Sequence, residues 1–211
     1  MPSKKMPQLK IVYEDADLLV VNKPAGLLTT PGRFDKRCLA SVVINYRQTA
    51  QIVHRLDLDT SGLVVLGCSQ ASIAGLNRLF RERRITKSYE ALVAGQAENW
   101  NQRVTYPLGP NRLHRPKQKI VWRGGKSALT LYRAIRFSAG VTRLEVTPVT
   151  GVRHQLRLHL ASVGLPILGC DLYAPPSVAS AADRLMLHAS GLAFDHPVSG
   201  EPLNLNVQAD F

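Results

Sequence analysis

At 211 residues, 45% hydrophobic and 20% charged, the chain has the proportions of one large globular domain or two small ones and can bury a sizeable core. Its apolar runs are far shorter than the ~20 residues that cross a bilayer, and "MPSKKMPQLK" has lysines with no apolar segment behind them, so neither a membrane span nor a secretory leader is expected. Twenty-seven Lys and Arg against fifteen Asp and Glu, a formal charge of +12, favour a polyanionic partner, nucleic acid first.

In chain order, "LKIVYEDADLLVVNKPAG" reads as two short strands around a turn at Glu14-Asp15-Ala16-Asp17, ended by Pro24-Ala25-Gly26. Residues 38–48 are expected to be helical. "GLVVLGC" is a β-branched apolar strand. "SQASIAGLNRLFRERR" then places Ile73, Leu76, Leu79 and Phe80 at helical spacing behind Ser69 as N-cap. "SYEALVAG", "LTLYRAIRF" and "TRLEVTPV" read as strands, the last by alternation. A helix follows with Leu156, Leu160 and Val163 on one face and Gly164 as its stop. Arg153 and Arg157, four apart, should project from one side of it. From Leu187 on, short strands return. Many strands with few helices predict an α+β fold on a largely antiparallel sheet, in one domain.

The positive charge is not evenly spread. Between Glu98 and Glu145 no acidic residue occurs, yet Arg103, Arg112, Arg115, Lys117, Lys119, Arg123, Lys126, Arg133, Arg136 and Arg143 all do. Such a stretch can neutralise phosphates and release their counterions.

Several chemistries find no support. Cys38, Cys68 and Cys170 are scattered with no CxxC pair, which disfavours a disulfide framework or structural zinc and suggests a reducing, cytoplasmic compartment. His154 and His159 flank no acidic residue, and His188 and His196, near Asp195, have no cysteine partners, so no metal site is expected. No phosphate-binding loop or G-x-S-x-G elbow is present. What remains is "HRLDLDTSGLVVLG", residues 54–67, with two aspartates at the mouth of a core strand. An unpaired carboxylate is expensive to bury. Asp57 is therefore a turn cap, an ion-pair partner or a reactive group. Pairing it with Asp59 as glycosidase acids is disfavoured, because residues two apart seldom straddle a substrate.

"HRLDLDTSG" resembles the H-R-L-D-x-x-T-S-G signature of the RluA family of RNA pseudouridine synthases. "VNKPAGLL" (21–28) is similar to that family's N-terminal motif, "KSYEALVAG" contains the tyrosine of its second, and "HQLRLHL" with "GLPILGC" resembles its third. "RPKQK" (115–119), "LMLHA" and the terminal "ADF" are most similar to members that modify both tRNA and large-subunit rRNA. The likeness runs from about Leu9 to Phe211. Two adjacent positions depart, Val152 and Arg153: the family reads T-G-[RK]-[ST]-H-Q-[IL]-R where this chain has Thr150-Gly151-Val152-Arg153-His154-Gln155-Leu156-Arg157.

The resemblance implies a pseudouridine synthase fold, a single catalytic domain over 9–211 with a central, mostly antiparallel mixed sheet flanked by helices and loops. Residues 1–8 would be a flexible N-terminus, without a separate N-terminal RNA-binding domain. It implies isomerisation of uridine in tRNA or 23S rRNA stem-loops, by a monomer that needs no cofactor or metal. Asp57 would be the catalytic carboxylate, Arg157 its guanidinium partner, and Tyr89 the aromatic face and hydroxyl for the uracil. Arg55 would fill the space left by the flipped base. Arg115, Lys117, Lys119 and Arg153 would contact RNA, while His54, Thr60, Ser61, Gly62 and Leu156 would shape the pocket. Two other classes stay open: a non-catalytic basic RNA-binding factor, and an RNA N-glycosylase or hydrolase built on Asp57.

Overall fold

The computed structural model describes residues 8–33, 35–98 and 101–211, so the expected flexible segment 1–8 lies almost wholly outside the described residues. The elements in chain order are β1 (Ile11–Glu14), β2 (Leu18–Lys23), α1 (Leu39–Tyr46), β3 (Gln51–Ile52), β4 (Ser61–Gly67), α2 (Gln70–Arg81), β5 (Thr86–Ala94) and β6 (Gln102–Val104). They continue as β7 (Leu108–Pro110), β8 (Gln118–Ile120), β9 (Thr130–Ser138), β10 (Val141–Pro148), α3 (Gln155–Ser162), α4 (Pro176–Ala179), β11 (Leu187–Asp195) and β12 (Pro202–Asn206). The chain forms two compact units, one of Met1–Thr86 with Ala189–Ala209 and the other of Lys87–His188 with Asp210–Phe211.

In the first unit the strand order is β1-β2-β4-β11, with β12 on β11 and β3 on β4. Every residue of β4 is buried, which explains its unbroken apolar run "GLVVL". Leu18, Val20, Leu63, Val65, Leu192 and Phe194 pack there against Leu76 and Leu79 of α2. That helix starts as its sequence predicts: Ser69 Oγ accepts the Ser72 amide at 3.1 Å.

In the second unit the order is β5-β10-β9-β6, with β7 and β8 paired separately. The pairings β1–β2, β2–β4, β11–β12, β5–β10, β10–β9 and β9–β6 are all antiparallel, which is the expected α+β arrangement. The alternation in β10 buries Thr142, Leu144, Val146 and Pro148 on one face. Leu144 and Val146 meet Leu156 and Leu160 of α3. This helix ends in a left-handed glycine cap: Gly164 has φ +78°, its amide reaches Ala161 O, and the Leu165 amide reaches Leu160 O at 3.0 Å.

His159 of α3 is fully buried. Its Nε2 donates to Tyr106 O and its Nδ1 accepts from the Thr130 hydroxyl, both at 2.9 Å, so the ring is the neutral Nε2-H tautomer. Burial pushes its pKa below 6.5, opposed in part by the Tyr106 carbonyl. A folded pKa below the unfolded one means that the unfolded chain takes up the proton first as pH falls from 6.5. Urea unfolding is therefore expected to show stability dropping across that window. The drop should be shallower in His159→Gln, and equal slopes in the two proteins would refute this assignment.

One expectation needs correction. Arg153 and Arg157 do not share a helical face: α3 begins at Gln155, and His154 before it is left-handed (φ 55°). Arg153 consequently lies outside the helix, exposed, whereas Arg157 is 2% exposed. The cause is Gln155, whose Oε1 accepts from the Thr150 hydroxyl and the Val152 amide and so holds 150–152 as a loop. The basic stretch also contains β6 and the β7–β8 hairpin, whose three-residue strands are too short to leave a periodic signal.

Candidate active site

Asp57 sits in the first unit at the mouth of β4, half-buried, and its carbonyl accepts the Thr60 amide at 3.3 Å in a tight turn. The peptides on either side of it are clamped. On one side, the Thr29 hydroxyl donates to Leu56 O at 2.8 Å and accepts the Leu56 amide at 3.1 Å. On the other, Leu58 O accepts from Lys23 Nζ at 3.1 Å and from the Gly26 amide at 3.0 Å. All three clamping residues come from "VNKPAGLLTT", the end of β2 and the loop that follows it. The aspartate is thus presented through the backbone groups of its two neighbours.

Lys23 is fully buried. Its Nζ also donates to Pro24 O at 2.9 Å and Leu27 O at 2.7 Å. Burial brings its pKa down from 10.5 to about 8, against the opposing charges of Asp59 and Asp57. A buried cation at the base of a carboxylate-bearing turn is a strong local field.

The other motif residues hold this turn in place. His54 Nε2 accepts the Val65 amide of β4 at 3.0 Å, and its ring lies 4.7 Å from that of Phe80. Thr60 and Ser61 are buried. Gly62 has φ +114°, and a Cβ there would stand 2.3 Å from Ala189 O, so no other residue fits. Arg55, two residues before Asp57, is exposed.

Tyr89 and Arg157 belong to the second unit. Tyr89 lies on β5 opposite Val146, half-buried against the core. Leu156 is a core residue. Arg157 donates through Nη2 to Asp171 Oδ1 at 2.5 Å and through Nε to Cys170 Sγ at 3.4 Å, with its guanidinium 5.8 Å from the Tyr173 ring centre. Burial works against its charge, but Cys170 and Asp171 outweigh it and its pKa is raised. Tyr173 in turn bonds His154 Nδ1 and accepts the Gln118 amide, both at 2.7 Å. Arg115 and Lys119 are exposed and Lys117 half-buried, on or beside the β7–β8 hairpin.

Sequence reasoning passed over Lys23, Gly26 and Thr29, although it had singled out the stretch containing two of them. It also passed over Asp171 and Cys170. A lysine ahead of Pro-Ala-Gly reads as an exposed turn residue, and only its position just after the apolar run Leu18–Val21 of β2 hints otherwise. Among the described residues, no three His, Cys, Asp or Glu side chains are placed to hold a metal ion, and no helix is long and apolar enough to cross a membrane.

The family model described as RNA pseudouridylate synthase matches residues 17–162, a stretch containing Lys23, Asp57, Tyr89 and Arg157. The chain is 42% identical over 204 residues to the dual-specificity RNA pseudouridine synthase RluA of Yersinia pestis, covering 95% of this chain and 99% of that one. To the protein of the same name from Escherichia coli K12 it is 41% identical over 209 residues, covering 97% and 95%. Among solved structures, human RNA pseudouridylate synthase domain containing 1 superposes with a TM-score of 0.85 at 27% identity, covering all of this chain and 87% of that one. A family match over most of its length, together with relatives of this identity along nearly all of it, places the chain in the RluA family of RNA pseudouridine synthases.

Proposed function

We propose that this protein isomerises uridine to pseudouridine in stem-loops of tRNA, 23S rRNA or both. The observation that carries the reading is the Asp57 turn, braced on both flanks by Thr29 and Lys23 within the segment that matches the family. The relatives' name, dual-specificity RNA pseudouridine synthase, supports more than one RNA target. In this reading the residues 9–211 act as one catalytic domain. The enzyme works as a monomer in the cytoplasm, without metal or cofactor, because isomerisation conserves atoms and charge.

Asp57 acts on the sugar as positive character builds at its anomeric carbon while the N1–C1′ bond breaks. The uracil turns over, C5 bonds to the same C1′, and the C5 proton leaves while N1 gains one. Tyr89 offers its ring to the uracil and its hydroxyl to that proton transfer. Arg157 supplies the fixed positive charge that favours an ionised carboxylate. Arg55 occupies the stack after the base leaves, Arg115, Lys117, Lys119 and Arg153 grip the RNA, and His54, Thr60, Ser61, Gly62 and Leu156 keep the pocket's shape.

The test uses tRNA and 23S rRNA transcripts carrying tritium at uridine C5. Tritium should pass to water with RNA length unchanged and no free uracil. Free uracil with an abasic site would overturn the reading in favour of a glycosylase. Tight binding without any product would overturn it in favour of a non-catalytic factor.

A further inference from the structure

Trp122 is 71% exposed, an unusual position for the largest apolar side chain. It opens the turn that follows the β7–β8 hairpin. Gly124 there has φ +79°, and a Cβ on Gly125 would lie 2.2 Å from Val121 O. The turn is therefore built around two glycines, and its backbone cannot be slackened by other residues without strain. Behind the indole, Tyr106 stands edge-on at 5.5 Å between ring centres (68°) and His159 edge-on to Tyr106 at 6.3 Å (76°). His159 also holds the Tyr106 carbonyl. The exposed ring is thus braced, through two aromatics, on the helix that carries Arg157. At the opposite end of the hairpin Leu113 is 89% exposed.

Single exposed apolar residues are ordinary on protein surfaces. This one differs in being buttressed and in its electrostatic setting. It falls within residues 99–144, which hold ten Lys and Arg and no Asp or Glu; of the ten, Arg133 pairs with Glu145 and Arg143 with Glu90. Protein interfaces are depleted in lysine at their cores, whereas positive charge beside an aromatic face is how proteins hold unpaired nucleotides.

We propose that the exposed face of Trp122 is a stacking platform for an unpaired nucleobase of the substrate RNA, with Arg123 and Lys119 on the flanking phosphates. The proposal rests on the RNA-substrate reading above and extends it. Stacking accepts any base, so Trp122 supplies affinity and positioning for a nucleotide outside the reacting one, and its loss acts on KM and not on kcat.

Trp100→Phe leaves Trp122 as the sole tryptophan. In that background, bulk bacterial tRNA should quench the fluorescence. In the tritium assay, Trp122→Ala should raise KM about 10-fold with kcat unchanged, and Trp122→Phe should restore most of the loss. The salt dependence of tRNA affinity separates stacking from charge: its log–log slope should be unaltered in Trp122→Ala but shallower by roughly one in Lys119→Ala. Absence of quenching together with an unchanged KM would overturn the proposal. So would a changed oligomeric state in Trp122→Ala with tRNA affinity intact, which would make this a protein contact. If tRNA quenches Trp122 but wild-type protein releases no tritium from any transcript, the stacking surface stands and the enzyme reading fails.

Discussion

Asp57→Asn is expected to abolish isomerisation, by at least about 10⁴-fold in single-turnover tritium release, while leaving the fold and the RNA affinity in place. A loss of that size is more than ~5 kcal/mol of transition-state stabilisation. The prediction is sharp because of how the turn is built. Both clamps grip backbone groups of Leu56 and Leu58, so an isosteric amide at position 57 disturbs neither. The substitution removes the negative charge and its nucleophilicity. Thermal unfolding should therefore stay close to the wild type, lowered only by what the Lys23 ammonium loses with that charge, and filter binding to tRNA should give the same affinity. The one electrostatic side effect has a fixed sign: Asp57 helps keep Lys23 protonated, so the variant's Lys23 titrates lower than about 8. Residual turnover above a hundredth of the wild-type rate, in a protein that melts normally, would remove Asp57 from the chemistry.

Much of this was legible in the residues. The strand β4 and the caps at Ser69 and Gly164 follow from local rules that the structure obeys, because each is a short-range contest between backbone hydrogen bonding and side-chain burial. Asp57 was visible as a contradiction, a carboxylate at the edge of an apolar run. What was not visible are the groups that hold it. Thr29 is 27 residues from Leu56 and Lys23 is 35 from Leu58, so no window of sequence contains either contact. The α3 start failed for the opposite reason. Helical spacing continues through Arg153, but the Gln155 side chain ties residues 150–152 into a loop that periodicity cannot register. In sequence, the β7–β8 hairpin shows only its charge, since three-residue strands carry no period.

Lys23→Met should separate stability from activity, and should do so differently at different pH. At pH 7 the substitution removes an ammonium whose burial, read from a pKa near 8 against 10.5, opposes folding by about 3 kcal/mol. It also strips Pro24 O and Leu27 O of their donor, at roughly 1–3 kcal/mol each. The two effects nearly offset, so urea unfolding should show a net loss of about 1–2 kcal/mol. Activity has no such compensation. Leu58 O keeps only the Gly26 amide, the turn loosens beside Asp57, and a displacement of the carboxylate by about 1 Å is worth ~10²-fold in rate. The pH dependence distinguishes a positioning lysine from a merely structural one. Above pH 8 folded wild-type protein has released the Lys23 proton while the unfolded chain holds it until about 10.5, so stability contributed by this group rises with pH across that window. Turnover should fall over the same window, because the neutral amine has two N–H donors for three carbonyls and no charge to set against Asp57 and Asp59. Opposite pH trends in stability and rate, both absent from Lys23→Met, are the expected signature. A wild-type rate that stays flat from pH 7 to 10 would show that Lys23 does not act on the site.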